Sequence, residues 1–232
     1  MINFSEDEII AIYLSLKIAL TASLFSLPIG IFSGYLLARK TFPFKRFIES
    51  LVNLPLILPP VVTGYILLIV FGKNGSIGNF LDKYFDFTFA FKWTGAALAC
   101  ALMGFPLMVR SIKLAIEMID VKTEQAARTL GASNTVVFFT ITIPLAFPGI
   151  IAGTTLSFAR ALGEFGATIT FVSNIPGETQ TLSAAIYTFL QIPNGEAMAF
   201  RLTFISIVIS ISALLFSEII LSKLARLNKK ND

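Results

Sequence analysis

Five long runs of apolar residues, separated by short polar stretches, divide the chain from end to end. Each run reaches about 20 residues, the length that a helix needs to cross ~30 Å of hydrocarbon. The period-two alternation of membrane strands is absent, so the pattern predicts helices. The runs cover residues 10–38, 48–71, 90–110, 138–163 and 200–222. We therefore predict an all-α integral membrane protein in which residues 1–232 form one domain with five transmembrane helices.

The composition supports a membrane protein and excludes several classes of function. Hydrophobic residues make up 55% of the 232 positions and charged residues only 14%, against about 25% charged in a typical soluble domain. The absence of histidine excludes His-based acid–base catalysis and the Ser-His-Asp triad. The single cysteine, Cys100, cannot form an intrachain disulfide. The net charge of +4 could suggest a nucleic-acid partner, but the basic residues lie between apolar runs. We predict no catalytic, metal or nucleic-acid site.

The basic residues predict the orientation of the helices, because lysine and arginine concentrate in cytoplasmic loops. Three alternate polar stretches hold four basic residues each, and these are 12 of the 18 in the chain. The twelve are Arg39, Lys40, Lys45, Arg46, Arg110, Lys113, Lys122, Arg128, Lys223, Arg226, Lys229 and Lys230. This distribution predicts an external N-terminus, a cytoplasmic C-terminus and a cytoplasmic loop at residues 111–137.

A proline cluster interrupts the second run, in the stretch LPLILPPVVTGY. Prolines at 55, 59 and 60 cannot sit in one straight helix, because each lacks an amide donor and clashes with the preceding turn. Broken helices near the midplane recur at substrate sites of transporters. Two interpretations stay open, a kink that serves packing and a break that faces the substrate. The candidate pathway residues here are Pro59, Pro60, Thr63 and Gly64.

The fourth run contains an ionisable pair, Arg160 and Glu164, in the stretch FARALGEFGATITF. Residues four apart lie on one face of a helix, and ionisable groups within a bilayer usually mark function. Either the two form a structural ion pair, or Arg160 attracts an anion while Glu164 limits how tightly it is held. We add Ser157, about one turn before Arg160, to the candidate pathway residues.

No stretch of the chain predicts a nucleotide site. The sequence FGKNGSIG at 71–78 is reminiscent of a phosphate-binding loop, but Leu67 stands where that motif needs glycine and Asn74 where it needs a hydroxyl. The orientation also places this stretch outside, away from cytoplasmic ATP. We expect no cofactor on this chain, so any dependence on ATP must come from a partner subunit.

The predicted cytoplasmic loop contains a short polar stretch, EQAARTLGAS, at residues 124–133. Glu124 and Arg128 form an i,i+4 pair that favours a short exposed helix, and Gly131 is a plausible C-terminal stop. Ala126 and Ala127 keep one face thin enough for close contact with another protein. The candidate coupling helix consists of Glu124, Gln125, Ala126, Ala127, Arg128, Leu130 and Gly131.

This stretch resembles the EAA loop of importer-type ABC permeases, whose pattern is E-A-A-x3-G-x9-I-x-L-P. Ala126, Ala127, Gly131, Ile141 and Pro144 keep the spacing. Two positions depart from it, since Gln125 stands at the glutamate position, with Glu124 one residue earlier, and an isoleucine at 143 replaces leucine. The wider sequence, including LPLILPPVVTGYILL and FARALGEFGATITFVSNIPGETQTL, is similar to the molybdate permeases of the ABC importers, and less so to the sulfate permeases.

The resemblance implies the fold of the small, MetI-like importer permeases, whose core has five helices per chain. It implies a homodimer in the bacterial inner (plasma) membrane, two cytoplasmic ATPase subunits that bind ATP, and an external molybdate-binding protein. It also implies that the coupling helix sits in a cleft of the ATPase and transmits its movement to the spans.

Other functions compete with this expectation. The importer could carry sulfate, thiosulfate or tungstate, because these are dianions of similar shape. A secondary anion transporter or channel would need intramembrane ion relays, yet few carboxylates lie in or beside the spans. A membrane-anchored scaffold would need a soluble output domain, which the pattern does not predict.

Overall fold

The computed structural model describes the backbone of residues 4–231 and the side chains of residues 4–223. Arg226, Lys229 and Lys230, three of the residues used to predict the orientation, have side chains outside this range. Four helices are long and apolar enough to cross a membrane, and a bent pair makes a fifth if it counts as one span. The predicted fold class, an all-α membrane protein, is therefore confirmed, with five spans when the bent pair is counted as one.

Short helices lie between the long ones. The elements are α1 (Glu6–Arg39), α2 (Lys45–Ile57), α3 (Pro60–Phe71), α4 (Ser76–Phe85), α5 (Trp93–Glu117), α6 (Val121–Thr129), α7 (Asn134–Val137), α8 (Ile143–Leu162), α9 (Gly166–Val172), α10 (Leu182–Phe189) and α11 (Glu196–Asn231). A π-helical turn, Phe138–Thr142, joins α7 to α8.

Several helices extend beyond the apolar runs that predicted them. Helix α1 begins at Glu6, before the run that starts at residue 10, because Ser5 and Glu8 form a reciprocal capping box. Its two bonds join the Ser5 amide to Glu8 Oε2 at 2.7 Å and the Glu8 amide to Ser5 Oγ at 3.3 Å. Capping groups of this kind continue a helix into polar surroundings, where hydropathy no longer marks it.

The second apolar run is a bent pair of helices, as the prolines predicted. Helices α2 and α3 meet at a 112° bend. Leu58 and Pro59 have extended backbones, and Pro60 occupies the first turn of α3, where its missing N–H costs nothing. The proline at 55 remains inside α2.

Helix α5 forms the centre of the bundle, between α1 and α8. It runs parallel to α1, since Lys17 lies 3.7 Å above the ring of Trp93 at one end while Gly34 packs on Ile112 at the other. It runs antiparallel to α8, since Gly104 packs against Ser157 while Ala115, later in α5, packs against Gly149, earlier in α8. Because α1 and α5 are parallel, the chain must return between them, and the bent pair α2–α3 makes that return.

We call the end of the bundle that holds Arg39 and Glu117 the coupling end, and the end that holds Glu8 and Trp93 the opposite end. At the opposite end, Arg201 of α11 binds the buried carboxylate of Glu8 through two hydrogen bonds of 2.8 and 3.0 Å. This pair fastens the first helix to the last.

Candidate functional site: the coupling helix and the broken spans

The candidate coupling helix is a helix in the structure, α6. It begins at Val121, three residues before the stretch that predicted it, because Asp120 caps it and accepts a bond of 2.9 Å from the Lys122 amide. It ends at Thr129, so the predicted members Leu130 and Gly131 lie in the turn that follows the helix. Gly131 has a φ of +91°, which suits glycine. The Gly131 amide donates to the Arg128 carbonyl, and the amide of residue 132 donates to the Ala127 carbonyl, which together form a Schellman motif.

Most side chains of the candidate coupling helix face away from the bundle. Gln125, Ala126 and Arg128 are exposed, Ala127 is half-buried, and Leu130 is 89% exposed. These exposed side chains leave one face of α6 accessible to another protein.

Glu124 is buried, although its pairing with Arg128 predicted that it would be exposed. Arg128 Nη2 lies 3.7 Å from Glu124 Oε2. The other oxygen, Oε1, lies 3.1 Å from Arg39 Nε and accepts a bond of 3.0 Å from the Thr142 hydroxyl. Glu124 therefore holds the coupling helix against the bundle, and it is unavailable to a docking protein.

Arg39 and Thr142 are the residues of this cluster that the sequence analysis missed. Arg39 had been used only to predict orientation, and nothing in the pair Arg39-Lys40 marks one of them as buried. Thr142 did carry a signal, since it is a polar residue in the apolar stretch that leads into the fourth span.

Two candidate pathway residues of the second run, Pro60 and Gly64, lie against α9. Pro59 caps α3 and is exposed, and Pro60 packs on the backbone at Gly166. A Cβ added at Gly64 would collide with the backbone of Ala167. The break in the second run and the break between α8 and α9 therefore meet, at Pro60 and Gly166.

Thr63 and Ser157 are both buried in helix contacts. Thr63 is 4% exposed, and Ser157 is fully buried against Gly104. Within the described residues, neither hydroxyl has a hydrogen-bond partner. In this conformation both hydroxyls face protein, so lining a pathway would require the helices around them to separate.

Arg160 and Glu164 form the predicted pair, with Nη1 and Oε2 2.6 Å apart. Glu164 also caps α9, because its Oε1 accepts a bond of 2.8 Å from the Ala167 amide. Its side chain is 1% exposed while that of Arg160 is 27% exposed. The carboxylate therefore stabilises the break after α8, and the guanidinium keeps part of its surface accessible.

This arrangement combines an exposed polar helix at one end with two broken apolar segments toward the other. A model of the family described as the inner membrane component of binding-protein-dependent transport systems matches residues 26–226. The chain belongs to this family.

Members of the family with curated functions are similar over nearly the whole chain. The molybdenum transport system permease protein ModB of Escherichia coli K12 is 60% identical over 214 residues, which cover 92% of this chain and 93% of that protein. The sulfate transport system permease protein CysT of Salmonella typhimurium is 35% identical over 219 residues, which cover 93% of this chain and 76% of that protein.

A solved structure supports the fold independently. The inward-facing MetNI methionine ABC transporter superposes with a TM-score of 0.73 at 15% identity, and the match covers 95% of this chain and 99% of that chain. The predicted fold of the small importer permeases is confirmed by this likeness.

Proposed function

We propose that this chain is the membrane-spanning permease subunit of an ATP-driven molybdate importer. The choice of molybdate as the substrate rests on sequence identity. The chain is 60% identical to a molybdenum permease but 35% identical to a sulfate permease, over similar lengths. The chain is a transport subunit and not an enzyme, since its relatives are permeases. ATP binds to partner subunits, and this chain holds no cofactor.

The proposed assembly contains two copies of this chain, two cytoplasmic ATPase subunits and an external molybdate-binding protein. It lies in the bacterial inner membrane as a multi-pass protein. ATP binding closes the ATPase subunits, and α6, seated in their cleft, transmits that movement to the spans. For ATP to shift the permease outward, it must bind the outward-facing state more tightly than the inward-facing one.

The proposed pathway follows the place where the two broken segments meet. Separation of α3 from α9 would expose Thr63, and separation of α5 from α8 would expose Ser157, both of which are buried now. Arg160 is the cation that attracts the dianion, because part of its guanidinium is accessible. Glu164 limits the affinity, so that the ion can also leave.

Uptake of radiolabelled molybdate by cells with and without this gene tests the proposed substrate. Uptake should depend on the gene and should fall when unlabelled molybdate or tungstate is added, while sulfate should compete only in large excess. If sulfate competes as well as molybdate, the sulfate importers become the better comparison. Uptake that is independent of the gene would contradict the proposal.

Reporter fusions test the proposed orientation, in which the coupling end faces the cytoplasm. A reporter after Asp232, a residue outside the described range, should be active in the cytoplasm. A reporter inserted at Asn79, in α4, should be active outside the cell. The reverse activity at either site would contradict the five-span orientation.

A further inference from the structure

The coupling end contains a buried cluster that joins three separate segments of the chain. Arg39 is the last residue of α1, Glu124 lies in the first turn of α6, and Thr142 ends the π-helical turn before α8. The side chain of Arg39 is 11% exposed and that of Glu124 is 2% exposed. A buried carboxylate is stable only where charge and hydrogen bonds compensate it. Here Arg128 of the same helix lies 3.7 Å away, and the hydrogen bonds come from two other segments.

Arg39 holds the coupling helix at two points. Its Nε binds Glu124 Oε1 at 3.1 Å, and its Nη2 donates to the Ile119 carbonyl at 2.8 Å, just before α6 begins. A guanidinium presents its donors in a rigid planar fork, so two bonds fix direction as well as distance. The coupling helix therefore cannot tilt at its first turn without breaking a bond to α1.

Thr142 supplies the third connection. A threonine within a helix usually donates its hydroxyl to the carbonyl four residues earlier, as Thr140 does to Val136. Thr142 instead donates to Glu124 Oε1 at 3.0 Å. The start of the fourth span is thus bonded to the same carboxylate oxygen that binds the end of the first.

We propose that Glu124, with Arg39 and Thr142, is a positioning cluster that makes the coupling helix and the ends of α1 and α8 move as one body. This inference rests on the proposed function, since it says how movement at the ATPase reaches the spans. The exposed residues of α6 receive the movement, and the cluster passes it to two spans at once. Without the cluster, the coupling helix would follow the ATPase while the spans stayed behind.

The complex with its ATPase subunits, reconstituted in vesicles, tests this proposal through the amount of molybdate transported per ATP hydrolysed. Arg39→Met and Thr142→Val should retain the ATPase subunits and hydrolyse ATP, while transport per ATP falls several-fold below that of the unsubstituted complex. Lys40→Met is the matched control, because Lys40 is the adjacent basic residue and is exposed. It should keep the ratio of the unsubstituted complex.

A ratio in both variants equal to that of Lys40→Met would overturn the proposal. So would a proportional fall of subunit retention, hydrolysis and transport, because that result describes a cluster that serves only folding. If Arg39→Met does not insert into the membrane, Thr142→Val still tests the proposal, since it removes one hydroxyl and nearly preserves the volume of the side chain.

A distance measurement tests the single-body movement directly and uses no transported ion. Spin labels at the exposed positions Thr41 and Thr123, in a Cys100→Ala chain, should report the same distance with and without ATP trapped on the partner subunits. In Arg39→Met the distance distribution should broaden. A distance that changes with ATP in the chain that retains Arg39 would overturn the proposal, whichever ion the importer carries.

Discussion

Two buried carboxylates, Glu124 and Glu164, each bind an arginine, but they hold different parts of the molecule together. Glu164 binds Arg160 four residues earlier and caps the next short helix, so both partners lie within four residues of it. Glu124 binds Arg39, which is 85 residues away, and Thr142, which is 18 residues away. Glu164 therefore stabilises a break within one span, while Glu124 connects separate spans to the coupling helix.

The two clusters also differ in their supply of positive charge. Glu164 has one cation among the described residues, at 2.6 Å. Glu124 has two, Arg39 at 3.1 Å and Arg128 at 3.7 Å. Loss of Arg160 at the break should therefore lower the free energy of unfolding more than loss of Arg39 at the coupling end. The following variants test that comparison.

The largest effect is expected for Arg160→Met, which leaves the buried Glu164 without a cation. Breaking a buried pair on one side typically costs about 3–5 kcal/mol, so the thermal unfolding midpoint of the purified permease should fall markedly. Lys92→Met, at an exposed basic residue of the same end, is the control. The double variant Arg160→Met/Glu164→Gln should recover most of the loss. A midpoint for Arg160→Met equal to that of the control would mean that water already screens the pair.

A smaller loss of stability is expected for Arg39→Met, because Arg128 and the Thr142 hydroxyl remain beside Glu124. Loss of hydrogen bonds to a charged group typically costs about 1.5–3 kcal/mol. The same unfolding measurement applies, with Lys40→Met as control. A loss as large as that of Arg160→Met would show that Arg128 does not compensate, and the comparison between the two clusters would fail.

A smaller effect again is expected for Gly131→Leu, which alters the coupling helix without touching the Glu124 cluster. The space around Gly131 is open, but its φ is +91°, and a left-handed conformation costs ordinary residues roughly 1–2 kcal/mol. Affinity for the ATPase subunits should fall roughly 5- to 30-fold at about 1.4 kcal/mol per tenfold. Gly131→Asn, which tolerates this conformation, should retain them. Equal co-purification with both variants would mean that the turn does not position the docking surface.

The smallest effect is expected from cysteines at the two buried hydroxyls, Thr63 and Ser157, in a Cys100→Ala chain. Each replacement nearly preserves volume, so stability should change little. The thiols should resist a small water-soluble reagent in the present conformation and should react when ATP is trapped on the partner subunits. Inertness in every state would place both positions in permanent packing, outside the pathway.

The sequence predicted features that depend on local chemistry. The proline cluster predicted the bend between α2 and α3, and the spacing of Arg160 and Glu164 predicted their pair. Gly131 predicted the end of the coupling helix, because only the backbone geometry of one turn is involved.

Contacts between distant segments could not be predicted in this way. The charge pattern assigned Arg39 to a cytoplasmic loop, and a single sequence carries no signal that joins it to Glu124. The same holds for Glu8 and Arg201, which lie 193 residues apart. These partners are set by how the helices pack, which depends on the shape of whole helix faces.

The π-helical turn at Phe138–Thr142 has a consequence for the alignment of helix faces. The Ile143 amide bonds to the Phe138 carbonyl five residues earlier, in place of the usual four, immediately before Pro144, which has no amide proton to donate. The turn thus accommodates one extra residue, while each residue of a regular helix advances by about 100°. A helical wheel drawn continuously from Asn134 to Leu162 would misassign every face beyond the turn by that angle. Beyond the turn, Gly149 packs on Ala115 and Gly153 on Met108, both in α5. Deletion of the exposed Thr140 should therefore restore an ordinary helix and keep these two glycines facing α5. The same deletion one turn later would rotate that glycine face away from its partner.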